Sequence, residues 1–122
     1  MKKKFHPVEN FLYAFNGILI FFKKEVAASI LIFFFVLSVI AGIFFKISGT
    51  EWMILLSISA LVIVLEMINT AIELLVDKIS PERNEIAGRI KDLAAGAVLL
   101  ASVFSVLIGM IVFLPKLIAM FR

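Results

Sequence analysis

Four polar residues, Glu66, Asn69, Glu73 and Asp77, follow one another at spacings of three, four and four in a largely apolar stretch. At about 100° per residue they fall within an arc of roughly 80°, so a helix through them carries a single polar stripe. A charged carboxylate at the centre of a membrane helix costs about 2.5–3.5 kcal/mol on insertion scales, so such groups normally face a protein interior or a wet cavity and serve a function. A polar seam that glues helices together accounts for Asn69 and Thr70. It suits two glutamates poorly, because each then needs a partner. Paired acids beside the cytosol suit a divalent cation, since Mg²⁺ is held by one or two carboxylates together with substrate phosphates. Glu25, which follows Lys23 and Lys24 and precedes an apolar run, is a third candidate ligand. Lys91 and Asp92 precede another such run. A lysine there can hold a phosphate as a point charge; it can equally anchor a helix end at the cytoplasmic face. Neither a Walker pattern nor G-x-G-x-x-G occurs, which excludes an ordinary P-loop or protein-kinase site.

The elements that position these groups are read from hydropathy. The chain has 122 residues, 63% of them hydrophobic, with a mean hydropathy of +1.16. A soluble domain runs near 45–50% apolar, so the solvent here is lipid. Val26 to Phe45 and Leu93 to Leu114 carry no charge, and each is long enough to cross a bilayer, which takes about 20 residues. A third stretch, from Glu51 to about Ile79, reads as one helix that includes the polar stripe. Spans are therefore expected at about 26–46, 51–79 and 92–114, within a single membrane-embedded domain over 1–122. The linker from Lys46 to Thr50 holds Ser48-Gly49-Thr50, a turn between the first two, and Ser80-Pro81 ends the second, because proline disfavours helix at the preceding residue. There is no cysteine, hence no disulfide or thiolate site. A net charge of +3 gives no argument for nucleic acid. The Lys2-Lys3-Lys4 start does not read as a signal peptide, because the run after it holds Asn10, Tyr13 and Asn16 and ends without a small-residue cleavage site.

The basic residues set the orientation. Nine of them (Lys2, Lys3, Lys4, Lys23, Lys24, Lys78, Arg83, Arg89 and Lys91) fall on the side of the N-terminus; Lys46, Lys116 and Arg122 fall opposite. The positive-inside rule then puts the N-terminus in the cytoplasm. Glu66 lies fifteen residues after Glu51, about 22 Å along a helix, below the cytoplasmic surface but near it. Glu73 sits one to two turns closer to the cytosol. Glu9, Tyr13, Asn16 and Lys23 share one side of a helix over about 9–24 whose remainder is Phe, Leu and Ile. That pattern predicts a helix lying in the membrane interface, or else a simple extension of the first span.

The order Glu66-Met-Ile-Asn69-Thr-Ala-Ile-Glu73-Leu-Leu-Val-Asp77, followed by Gly88-Arg-Ile-Lys91-Asp92-Leu-Ala-Ala-Gly-Ala-Val98, resembles the prokaryotic diacylglycerol kinase family, which includes the undecaprenol kinases. The resemblance covers nearly the whole chain. It implies an all-α membrane protein, an interfacial amphipathic helix plus three transmembrane helices, assembled as a homotrimer in the bacterial inner membrane. The implied reaction is MgATP-dependent phosphorylation of a lipid alcohol, diacylglycerol above undecaprenol, at the cytoplasmic face. Glu66 matches the family's general base, and Glu25 and Glu73 match its Mg²⁺ ligands. Tyr13, Glu82, Arg83, Asn84, Lys91 and Asp92 match positions that contact the nucleotide, as Glu25 and Glu73 do through the metal. Asn69 matches a residue supporting the base, with Asp77 beside it. His6 stands where members often carry arginine, and Asn84 replaces a common histidine. Three spans enclose four carboxylates poorly, so oligomerisation is expected on physical grounds too, helped by Ala94, Ala95, Gly96, Ala97 and Ala101, small enough for close helix approach. A rival from another class is an ion-coupled transporter using Glu66 and Glu73 as cation sites; it has no need of Lys91 and Asp92.

Overall fold

A computed structural model of the chain describes every residue except 1–3, 5 and 83, and all side chains of the rest but that of Lys24. Four helices run α1 (Pro7–Lys24), α2 (Val26–Phe44), α3 (Gly49–Ile79) and α4 (Glu85–Met120). No strand occurs among the described residues. Three of the helices, α2, α3 and α4, are long and apolar enough to cross a membrane. The accessible surface is 9713 Å². A compact water-soluble monomer of 13.6 kDa exposes about 6,600 Å² by the usual scaling. The excess is largely Leu, Ile, Val and Phe on helix exteriors, as a multi-pass membrane protein requires.

Each helix end has a local cause. Pro7 opens α1 at a position where its missing N–H costs nothing. Glu25 is the single extended residue between α1 and α2, with φ −99° and ψ 123°, and its N–H closes α1 on the Phe21 carbonyl at 3.1 Å. α2 ends in a Schellman motif: Ile47 N–H donates to the Gly42 carbonyl (3.2 Å) and Lys46 N–H to that of Ile43 (3.3 Å). The left-handed residue of that motif is Lys46, at φ 51°. The chain therefore reverses at Lys46, while Ser48-Gly49-Thr50, read from sequence as the turn, starts the next helix. Ser48 caps α3 by accepting from Glu51 N–H at 3.1 Å. Ile79 ends it before Ser80-Pro81, as the sequence predicts.

α4 differs from its expected bounds of 92–114 in both directions. Asn84 Oδ1 accepts from the N–H groups of Ile86 (2.8 Å) and Ala87 (3.3 Å), so the helix starts seven residues earlier. It also runs through Pro115. At 1.5 Å per residue its 36 residues measure about 54 Å, well beyond a ~30 Å hydrocarbon core. Hydropathy marks the lipid-embedded part of such a helix and misses the rest.

α3 and α4 pack as a long antiparallel hairpin, and α2 leans on them mainly at the end where the chain turns. There Ile47, Leu55 and Val112 form a buried cluster with Phe45, Trp52, Ile108 and Phe113 against it. Two ion pairs bracket the hairpin. Lys116 Nζ meets both Glu51 oxygens, at 3.1 and 3.0 Å; at the far end Lys91 meets Asp77. Glu51 to Asp77 is 26 residues and Lys91 to Lys116 is 25, about 38 Å along either axis. The two pairs are thus farther apart than a ~30 Å hydrocarbon core is thick, and they fix which residues of α4 face which residues of α3.

Candidate active site

The polar stripe of α3 opens gradually toward the Asp77 end of the hairpin. Glu66 is half-buried, Asn69 is buried at 7% exposure, and Glu73 and Asp77 are exposed. Glu66 lies eleven residues from Asp77, about 16 Å along the axis, so it is the deepest acid of the stripe. Asn69 Nδ2 donates to Glu73 Oε1 at 3.4 Å, a long contact that orients the carboxylate. The helix brings these groups into line simply because their spacings approximate whole turns.

Glu25 comes to the same place from another element. It is half-buried at the corner between α1 and α2, and both its charge and that of Glu73 bear on Glu66. Glu25, from the corner, and Glu73, from the stripe, thus both act on Glu66, and none of the three has an ion-pair partner among the described residues.

The set fits Mg²⁺. Its donors are hard oxygens, exposed enough at Glu73 to share a metal with phosphates. Asn69 Oδ1 is buried without a hydrogen-bond partner among the described residues. No three metal-binding side chains among the described residues stand close enough to form a closed cage. An ion held by one or two of these carboxylates would complete its shell with water or with phosphate oxygens, as Mg²⁺ ordinarily does.

The nucleotide-contact candidates are placed less uniformly. Lys91 points onto the α3 stripe, where it pairs with Asp77 and feels the charge of Glu73. Asp92 follows it at about 100° around the helix and is exposed. Asn84 spends its amide oxygen on capping α4, which leaves its NH₂ for a ligand. Glu82 is exposed in the α3–α4 loop, its carbonyl accepting from Ser80 Oγ at 3.4 Å. Tyr13 is 71% exposed on α1. Arg83 lies outside the described residues.

Sequence reasoning found the stripe and Lys91 separately but missed that Lys91 and Asp77 are partners. The signal was available. The short loop at Ser80–Asn84 forces an antiparallel hairpin, and residues a similar distance either side of it must face one another. A cavity of about 570 Å³ lies apart from these groups, between α2 and the hairpin, lined by residues that include Phe35, Ser38, Ser59, Val62, Ser105 and Phe113.

Comparison with known proteins bears on what this geometry is for. A sequence profile described as prokaryotic diacylglycerol kinase matches residues 12–113. The undecaprenol kinase of Bacillus subtilis (strain 168) is 44% identical over 78 residues, 64% of this chain and 63% of that protein. The diacylglycerol kinase of a Synechocystis species is 34% identical over 112 residues, 91% of this chain and 64% of its own length. That of Escherichia coli (strain K12) is 35% identical over 71 residues, 58% of either chain. The chain thus spans a little under two thirds of the length of these relatives.

Proposed function

Since this chain belongs to the prokaryotic diacylglycerol kinase family, we propose that it transfers the γ-phosphoryl group of ATP to the hydroxyl of a membrane lipid, diacylglycerol giving phosphatidic acid. The observation that carries the reading is the stripe itself: a deep half-buried Glu66, a buried Asn69 and an exposed Glu73 in line, with Glu25 near enough for its charge to act on Glu66. A lipid headgroup reaches such a stripe from its deep end and a cytosolic nucleotide from its open end.

The roles follow depth and charge. Glu66 takes the proton of the lipid hydroxyl as its oxygen bonds to phosphorus and the bond to ADP breaks. Glu25 and Glu73 would hold Mg²⁺, which when bound would neutralise phosphate charge, the main demand of phosphoryl transfer besides positioning. Asn69 orients Glu73 and leaves Oδ1 for a donor. Lys91 holds a phosphate, and Tyr13, Glu82, Arg83, Asn84 and Asp92 contact the rest of the nucleotide. The N-terminus is cytoplasmic in a bacterial inner membrane, and α1 lies in the membrane interface. The protein works as a homotrimer; the apolar surface left by one chain and the gap between α2 and the hairpin support association.

A second reading, undecaprenol as the acceptor, is favoured by the 44% identity to an undecaprenol kinase. Purified protein in detergent, given MgATP and either lipid, tests both. Mg²⁺-dependent transfer to diacylglycerol at the higher kcat/KM is the expected result. Preference for undecaprenol transfers the assignment to the second reading, and transfer to neither lipid refutes the proposal.

A further inference from the structure

The ion pair between Lys91 and Asp77 sits one turn from the metal site, and its position raises a problem of competition. Lys91 feels two carboxylates of α3, Asp77 in direct contact and Glu73 at longer range. Glu73 and Asp77 are four residues apart on the same stripe, about 6 Å along the axis. Lysine is a compact charge on a flexible four-carbon stem, so the ammonium can swing between them. At Glu73 it would neutralise the carboxylate on which a divalent cation depends.

We propose that Asp77 is a positioning residue that keeps Lys91 off Glu73, so that Glu73 stays open to the divalent cation while the lysine remains poised for phosphate. The inference rests on the metal role proposed above for Glu73. Three observations carry it. Lys91 lies against Asp77 in preference to Glu73. Glu73 keeps no cationic partner among the described residues and is instead oriented by Asn69. The pair is accessible, with 38% of the lysine and 63% of the aspartate side chain exposed, so Asp77 restrains the ammonium only weakly. A weak restraint is what the task requires, because Lys91 must be able to leave Asp77 when a phosphate arrives.

The experiment is a titration of the detergent-solubilised protein with Mn²⁺, the free ion being followed by its electron paramagnetic resonance signal. Asp77→Asn is expected to weaken Mn²⁺ binding about two- to fivefold, because an exposed pair of Lys91 with Glu73 is worth at most about 1 kcal/mol. Asp77→Glu should bind as the wild type does. In the double variant Asp77→Asn/Lys91→Gln the competing ammonium is gone, and binding should return to the wild-type level or above. Asp77→Asn that binds Mn²⁺ like the wild type overturns the proposal. So does a double variant as weak as the single one, because Asp77 would then be acting on the metal directly. Wild-type protein that holds no Mn²⁺ overturns it as well. Failure of the kinase reading is a different result: wild-type protein that binds Mn²⁺ but phosphorylates no lipid alcohol, for which the titrations still decide the role of Asp77.

Discussion

Gly42 is where the closed end of the fold is tightest, and replacing it with alanine measures how much that end contributes. A Cβ at Gly42 would stand 2.6 and 2.8 Å from Trp52 Cη2 and Cζ2 and 3.1 Å from Ile47 Cδ1. Ordinary carbon contact begins near 3.5 Å, so the indole must retreat by close to 1 Å. It cannot do so freely, being partly buried against the Ile47–Leu55–Val112 cluster and next in sequence to Glu51, which is held by Lys116. Overpacking of this kind costs about 1–3 kcal/mol. Alanine's better helix propensity returns up to about 1 kcal/mol. The net expectation for Gly42→Ala is a loss of up to about 2 kcal/mol, read from unfolding in mixed micelles of increasing SDS content. Trp52 is the only tryptophan, so its emission reports the displacement directly. Trp52→Phe removes the part of the ring that collides. In a double-mutant cycle, Gly42→Ala should therefore cost at least ~1 kcal/mol less on the Phe background, a coupling of the size found for residues in contact. Turnover per folded molecule should hold, since Trp52 is fourteen residues from Glu66, about 21 Å. Wild-type stability with unchanged emission in Gly42→Ala, or strict additivity in the cycle, refutes the packing argument.

Glu66→Gln should lower kcat by about 10²–10⁴-fold while the apparent KM for MgATP changes little, the signature of a lost general base; a destabilised protein with normal turnover would make Glu66 a structural residue. Glu73→Gln should raise the Mg²⁺ concentration needed for half-maximal activity, with partial rescue at high Mg²⁺, and normal activity at low Mg²⁺ would remove it from the metal site. Cysteine at Lys116 should label from outside intact cells and cysteine at Ser80 should not, the opposite pattern inverting the topology. Lys46→Gly should stabilise by about 0.5–1 kcal/mol, because glycine accepts the left-handed φ of 51° that lysine adopts at a cost; a destabilised variant would show that the Lys46 side chain contributes more than its backbone strain removes.

How much of this was legible in the sequence depended on how local the cause was. The stop at Ile79 was legible, because Ser80-Pro81 acts on its immediate neighbours. The stripe was legible, because its geometry is set by helical pitch alone. The start of α4 was not. Glu85, Arg89, Lys91 and Asp92 lower hydropathy there, although Asn84 caps a helix that simply continues out of the lipid. The reversal at Lys46 was hidden because glycine is the usual residue of that motif, and the nearby Gly49 drew the reading to itself. Glu25 could be suspected as a ligand, but its approach to Glu66 depends on the extended corner between α1 and α2, which no spacing rule supplies.

The partition of the hairpin explains why a costly acidic cluster is tolerated in so small a chain. The buried apolar cluster, the close contact of Gly42 with Trp52 and the ion pair of Glu51 with Lys116, only 30% exposed on each side, all lie at the end where α2 turns into α3. Burial there stabilises the hairpin regardless of what happens at the other end. α3 and α4 then project as long rods from a fixed base, and a rod of regular hydrogen bonds transmits position with little strain. At the open end the chain offers mostly exposed or half-buried charges, Glu25, Glu66, Glu73, Asp77, Lys91 and Asp92. Such groups contribute little to stability and so remain free to change partners. The function proposed for that end agrees with the same separation: a site whose charges would exchange between lysine, metal and phosphate cannot also be what holds the fold together. Substitutions at the closed end should therefore change how much protein is folded, and substitutions at the open end how fast each folded molecule turns over.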